Sequence, residues 1–381
     1  MANLRKYLII FFVSFTFLSQ AQNRVTFQLI HFPAKDSSEK IYLTGNFNHW
    51  VPDDNNYYLK NSNGRKEITL SLNSGHYEYK FTRGSWTKGE TDMKGNPSGN
   101  RSVSIQGDTT ILLTVDGWSD HFDHSLISKN HFTASENVHI LDTAFYMPQL
   151  DRYRRLWIYL PADYAHSKKS YPALYMHDGQ NLFDNSTSYS GEWGVDEFLD
   201  SMFQKGQQQV IVVGIDHGQE KRMNEYNPWE FQNFGEGRGD DYVDFLVKTL
   251  KPYIDENYRT RKSKKYTSIA GSSMGGLISL YAVLKYPNVY GSAGIFSPAF
   301  WTASGIDSAV IHQAKKVRSK LFLYAGGKEG DSMIPDMLRI EKEIKKHSKS
   351  LVKEVIDKDA KHNEAAWRKY FPVYYKWIYG K

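Results

Sequence analysis

The stretch "KKYTSIAGSSMGGLISLYAVLKYP", residues 264–287, decides how the larger part of this chain folds. "YTSIA" has the composition of a short buried strand, and "GGLISLYAVLKYP" reads as an apolar helix stopped near Pro287. Between them "GSSMG" fits Gly-x-Ser-x-Gly in one register only, with Ser273 at its centre. A turn this sharp between strand and helix forces its central residue into a strained conformation. Gly271 and Gly275 leave room for close packing, and the hydroxyl is pushed to the carboxyl edge of the sheet. Ser273 is therefore the candidate nucleophile, and Ser272 stands beside the turn.

A serine at such a turn needs a base and an orienting acid, in the chain order serine, acid, histidine. Only three of the thirteen histidines follow Ser273: His312, His347 and His362. His312 precedes "KLFLYAGG", the strand that should deliver the acid, and His347 lies in the charged helix end "EKEIKKHSKS". By elimination His362, on a loop between "VKEVI" and a terminal helix, is the candidate base. The acid is expected in "KEGD", where Glu329 and Asp331 both qualify by position. An oxyanion hole requires two inward N–H groups. One follows the nucleophile, at Met274, and the other comes from the junction "ALYMHDGQNLFD", at Gln180.

Outward from this centre, the pattern after Val138 alternates apolar strand-like runs with helical stretches. The runs are "LWIYLP", "ALYMH", "VIVVGID", "YTSIAG", "AGIFS" and "KLFLYAGG". A helix over residues 241–258 places Tyr242, Phe245, Leu246 and Ile254 on one spacing, and another from Met333 aligns Met333, Met337, Ile340 and Ile344. Continuous apolar strands alternating with helices predict an α/β domain, a mostly parallel sheet covered on both faces. Residues 24–118 differ: short strands such as "VTFQLIHF", "EITLSL" and "HYEYKFT" are divided by Asn, Gly and Ser turns. That spacing predicts a small all-β sandwich. Residues 119–137 are polar and aperiodic and are expected to be a linker into the α/β domain, residues 138–381.

At the start, "MANLRKYLIIFFVSFTFLSQAQ" has a basic beginning, an apolar run and a small-residue end, so residues 1–21 are expected to be a secretory signal. The rest should be secreted or periplasmic, without a membrane span. The chain has no cysteine among 381 residues, which excludes disulfides, thiolate chemistry and a lipid anchor on cysteine. Without Arg5 and Lys6 the balance is 46 basic against 42 acidic side chains, too even to suggest a nucleic-acid partner. "RTRKSKKY" reads as a solvated turn, and no ligand-spaced cluster suggests a metal or cofactor.

Taken together, "LYMHDGQNLFD", "GEWGVDEFLD", "VVGIDHGQEKRMNEYNPW", "AGSSMGGLISLY", "FSPAFW", "LYAGGKEGDS" and "KHNEAAWRKYF" resemble the putative-esterase group of α/β-hydrolases. This group includes esterase D, feruloyl, acetylxylan and enterochelin esterases. The resemblance implies a serine carboxylic ester hydrolase with nucleophile Ser273, base His362 and oxyanion groups at Gln180 and Met274. Its Gly-x-x-acid pattern falls on Gly326 to Glu329 and favours Glu329, with Asp331 as the alternative. It also makes Asp178, Trp193, Arg222, Glu225 and Tyr226 pocket candidates, the last three either as a wall or as a buried ion pair. The substrate would be an ester-bearing carbohydrate, or a siderophore or other small ester. "IYLTGNFNHWVPD" and "HYEYKFTRGSWTKGETD" resemble starch- and glycogen-binding modules, a resemblance that makes the sandwich immunoglobulin-like; in these modules two tryptophans and a lysine clasp glucan rings. The matching positions are Trp50, Trp86 and Lys80, with Asn100 as a fourth, and an α-glucan becomes a candidate partner. A glucan-binding protein on a non-catalytic hydrolase scaffold is the third reading.

Overall fold

The computed structural model describes residues 22–33, 38–48, 50–62, 64–93, 95, 98, 100–122, 132–188, 191–231 and 235–380. The expected signal segment lies outside the described residues, as do residues 123–131 of the expected linker.

The N-terminal part is a two-sheet β structure. One sheet has the order β3-β4-β1-β8, from Lys60–Ser62 (β3), Arg65–Leu72 (β4), Asn23–His31 (β1) and Thr109–Thr114 (β8). The other joins Tyr42–Gly45 (β2), Gly75–Thr82 (β5) and Arg101–Ile105 (β7) in the order β2-β5-β7. A two-stranded pair, Glu90–Thr91 (β6) with Gly117–Trp118 (β9), closes one end. Alternation decides the faces. Tyr79 and Phe81 of β5 pack inward with Val25, Phe27, Leu43 and Trp118, with Tyr77 at the margin. Glu78, Lys80 and Thr82 therefore project from the opposite face of β5.

The remaining strands form one eight-stranded sheet in the order β10-β11-β13-β12-β14-β15-β16-β17. They are Val138–Met147 (β10), Arg152–Tyr159 (β11), Ile211–Ile215 (β13), Ala173–His177 (β12), Thr267–Ser272 (β14), Ser292–Phe296 (β15), Lys320–Gly326 (β16) and Leu351–Asp357 (β17). The β10-β11 and β11-β13 pairings are antiparallel, and every pairing from β13 to β17 is parallel. Both faces are covered, because alternate residues of one strand enter different cores. Ala173 and Tyr175 pack with helices Met274–Lys285 and Met333–His347, whereas Leu174 and Met176 pack with Val195–Gln204 and Glu364–Tyr379. Tyr242, Phe245, Leu246 and Ile254 are fully buried, but their helix is not uniform. A π-helical turn at Leu246–Leu250 separates Gly239–Phe245 from Lys251–Asn257, beside Pro252, which has no N–H for a regular ladder. Strand β10 was not foreseen. It is a bulged, largely exposed edge strand without the continuous apolar run that marks the inner ones.

Candidate active site

The β14-to-helix junction has the geometry expected from its glycines. Ser273 has φ 57° and ψ −120°, a left-handed conformation unusual for a residue with a side chain. Its N–H donates to the Phe296 carbonyl at 2.9 Å, and its own carbonyl accepts from Gly276 and Leu277 at 3.0 and 3.1 Å. A Cβ at Gly271 would lie 2.9 Å from the Gly275 backbone, so the turn tolerates only glycine there. Ser273 stays partly exposed while Ser272 is buried, which presents the Ser273 hydroxyl.

Ser272, Phe296 and Tyr324 are aligned across β14, β15 and β16, so the residues that follow them emerge together at one sheet edge. Ser297, next after Phe296, also has positive φ (43°) and donates from its hydroxyl to Glu329 Oε1 at 2.8 Å. Gly326 N–H donates to the same oxygen at 2.7 Å. The other oxygen, Glu329 Oε2, accepts from His362 Nδ1–H at 2.9 Å. Glu329 is fully buried and His362 is one-fifth exposed. Burial alone would lower the His362 pKa, but the Glu329 hydrogen bond and charge, with Glu78 and Glu364, raise it above its ordinary 6.5. Ser273 Oγ has no hydrogen-bond partner among the described residues. Such contacts are often long before substrate arrives.

Glu329, not Asp331, holds the imidazole. Asp331 is exposed and points away, its Oδ2 being 3.0 Å from where a Cβ on Gly75 would stand. The tight turn at Gly326 and Gly327 curls Glu329 back under Gly326 N–H, and two residues later the chain has passed the ring.

Gln180 lies in the 3-10 turn Gly179–Asn181 that follows Asp178, itself left-handed at φ 57°. Met274 opens its helix, where backbone N–H groups lack intrahelical acceptors. Asp178 takes two parallel bonds from Arg222, at 2.7 and 2.8 Å. Burial would raise the Asp178 pKa, but the guanidinium holds it below the ordinary value. Glu225 is not the partner of Arg222. It is fully buried and pairs with Arg152 at 2.6 Å and Arg154 at 2.7 Å. Tyr226 is fully buried beneath the site, its ring facing Arg222, and its hydroxyl accepts from Asp178 N–H at 3.4 Å. Trp193 also lies inside, its ring edge-on to Phe296 at 4.9 Å and beside Trp367 at 5.8 Å, so it packs behind the site, 2% exposed. His177, bonded to the Tyr242 hydroxyl at 2.9 Å, is pushed down to about 3 by burial and cannot compete as a base near neutrality.

Three residues at this edge escaped sequence reading. Ser297 bridges Glu329 and Trp367, whose indole N–H donates to it at 2.9 Å. Glu364 opens the terminal helix, buried, and accepts from Asn181 at 3.1 Å. Burial pushes its carboxyl up to about 7, although His362 and Lys80 oppose this. The sequence signals, "FSPAFW" and "KHNEAAW", carried no assignment for these positions.

In the N-terminal part, the Trp50 and Trp86 rings sit 6.4 Å apart and half-buried. Asn100 donates to Glu78 at 3.2 Å. Lys80 is not an exposed clasp residue: it is 3% exposed, and burial lowers its pKa to about 8.

The family model "Putative esterase" matches residues 148–378, and "Glycogen recognition site of AMP-activated protein kinase" matches residues 30–105. The uncharacterized protein YbbA of Bacillus subtilis (strain 168) is 30% identical over 245 residues, covering 60% of this chain and 93% of its own. An endo-1,4-beta-xylanase/feruloyl esterase of Xylanibacter ruminicola is 23% identical over 216 residues, covering 56% of this chain and 27% of its own. Among solved structures, the enterobactin esterase FES from Shigella flexneri, in the presence of enterobactin, superposes with a TM-score of 0.50 at 16% identity. That match covers 87% of this chain and 85% of FES, a likeness of fold.

Proposed function

This chain belongs to the Putative esterase family and carries a glycogen-recognition-type module before its esterase domain; from that premise we propose that it is an exported serine esterase using Ser273, Glu329 and His362. The observation that carries this reading is the 2.9 Å bond from His362 Nδ1 to Glu329, at the sheet edge where the left-handed Ser273 emerges. Glu329 fixes the tautomer that leaves Nε2 free to accept the serine proton. Ser273 Oγ then attacks the ester carbonyl, and the oxyanion that develops is held by the Gln180 and Met274 N–H groups. As the tetrahedral species collapses, imidazolium returns its proton to the departing alkoxide and an acyl-serine remains. Water, deprotonated by the same imidazole, releases the acid.

The proposed substrate is a carbohydrate bearing acetyl or feruloyl-like groups. Two features support it: the glycan-module match and the feruloyl esterase activity in the name of the Xylanibacter ruminicola relative. Export rests on residues 1–21, and no helix among the described residues is long and apolar enough to cross a membrane. The test is a screen of the chain from residue 22 onward against acetylated xylan, feruloylated oligosaccharides, p-nitrophenyl esters and triscatecholate trilactones. Turnover of the trilactones with none of the acylated glycans would move the assignment to a siderophore esterase, the reading that the two-domain likeness to FES favours.

A further inference from the structure

The face of β5 that carries Glu78 and Lys80 is turned away from the core of the sandwich, yet Glu78 is 5% exposed and Lys80 3%. The esterase domain comes close to this face. Gly75 of β5 abuts Asp331, and Gly330 abuts Asn46 beside β2, so the sandwich is seated on the loop that carries Glu329. The charges of Glu78 and Glu364 reach His362, and those of Lys80 and Glu364 reach each other. Glu364 is in turn tied to Asn181, the neighbour of Gln180. Burying four such groups is costly unless they are paired or face a polar ligand. Asn100 donates to Glu78 and Asn181 to Glu364, and Glu78 and Lys80 have further partners, so donors and acceptors alternate close to His362.

Resting on the esterase reading above, we propose that this face is the second wall of the active site, where Glu78, Lys80 and Asn100 with Glu364 of the esterase domain hold the hydroxyl-bearing alcohol portion of the ester. A hydroxyl donates and accepts at once, so alternating carboxylates, ammonium and amide suit a polyol better than an apolar alcohol. The N-terminal module then acts on the ester being cleaved, through its polar face, and is not a detached glycan anchor.

The experiment compares the wild-type chain with Lys80→Met, Glu364→Gln and Asn100→Ala on two substrates, acetylated xylo-oligosaccharide and p-nitrophenyl acetate. The expected result is a fall in kcat/KM on the oligosaccharide of about 10–100-fold, at least about tenfold beyond any fall on the aryl ester. Asn100, half-buried, probes the wall without removing a buried charge, so a folding defect in the other two does not decide the matter. Equal losses on both esters in all three variants, or a loss on neither, would overturn the inference and leave the esterase reading standing. So would a wild-type chain that cleaves the aryl ester and no hydroxyl-bearing one. Failure of the wild type on both esters, with no fluorophosphonate adduct, would instead defeat the esterase reading itself and the wall with it.

Discussion

His362 Nδ1 and Glu329 Oε2 stand 2.9 Å apart, and the same carboxylate is pinned on its other oxygen by Ser297 and Gly326. The pair sets a pH dependence whose sign can be worked out. The base acts when neutral, and its folded pKa lies above 6.5. Activity should therefore rise with pH through a midpoint above 6.5. In Glu329→Gln the strongest raising partner is lost, while burial, which lowers the pKa, and the charges of Glu78 and Glu364, which raise it, remain. The midpoint should drop below that of the wild type and kcat fall about 10²–10⁴-fold. Asp331→Asn should stay within about threefold of wild type, since its carboxylate faces Gly75. A pH profile of kcat/KM for the three proteins checks this, and an Asp331 effect as large as that of Glu329 would contradict it.

Ser297 bonds Glu329, so its effect on the reaction should come through that carboxylate. Ser297→Ala removes one hydrogen bond to a carboxylate and leaves the Trp367 indole N–H without its acceptor. At about 1–2 kcal/mol for such a loss, kcat should fall roughly 5–30-fold with KM little changed. A pure KM effect would place Ser297 against substrate instead.

Gly326→Ala should mimic loss of the acid without altering it. A Cβ there would stand 2.5 Å from both Glu329 Oε1 and the Ala360 carbonyl, so the carboxylate must move. The expected outcome is a kcat loss approaching that of Glu329→Gln, with about 1–3 kcal/mol of destabilisation from overpacking. Thermal melts alongside turnover measure both.

Arg222→Met leaves Asp178 buried beside the Gln180 turn without its fork of two bonds. Breaking one partner of a buried pair costs about 3–5 kcal/mol, and for a domain this size each kcal/mol lowers Tm by about 2–4 °C. Because the folded pKa of Asp178 is depressed, its stabilisation is complete above the ordinary value of 3.8 and disappears as pH falls through the folded value. The Tm gap between variant and wild type should therefore be full at neutral pH and narrow in acid below about 4. A gap independent of pH would show that packing, not charge, is what Arg222 supplies.

Much of this was legible from pattern. The elbow announced itself because Gly271 and Gly275 sit between a buried strand and an apolar helix, local chemistry that a sequence displays directly. The inner strands were legible because burial on both faces demands continuous apolar runs. The acid was not resolved, since Glu329 and Asp331 share a short loop and only the path of the turn at Gly326–Gly327 separates them. Arg222 and Glu225 looked like partners across one helical turn, yet each pairs with residues distant in sequence, Asp178 and Arg154. Trp193 packs into the core, which its sequence context does not reveal, because a tryptophan near glycines serves a core as readily as a site. The approach of the sandwich to the loop that carries Glu329 leaves no periodicity in either half. It shows in Gly75 beside Asp331 and in buried charges such as Lys80.

The most direct test labels the chain with a fluorophosphonate and maps the adduct by mass spectrometry in the tryptic peptide of residues 266–285, beside Ser273→Ala assayed on p-nitrophenyl acetate. The account predicts one adduct, on Ser273, and turnover in the variant reduced by about 10⁴-fold or more. An adduct on another residue, or a Ser273→Ala variant that hydrolyses the ester at the wild-type rate, would contradict it.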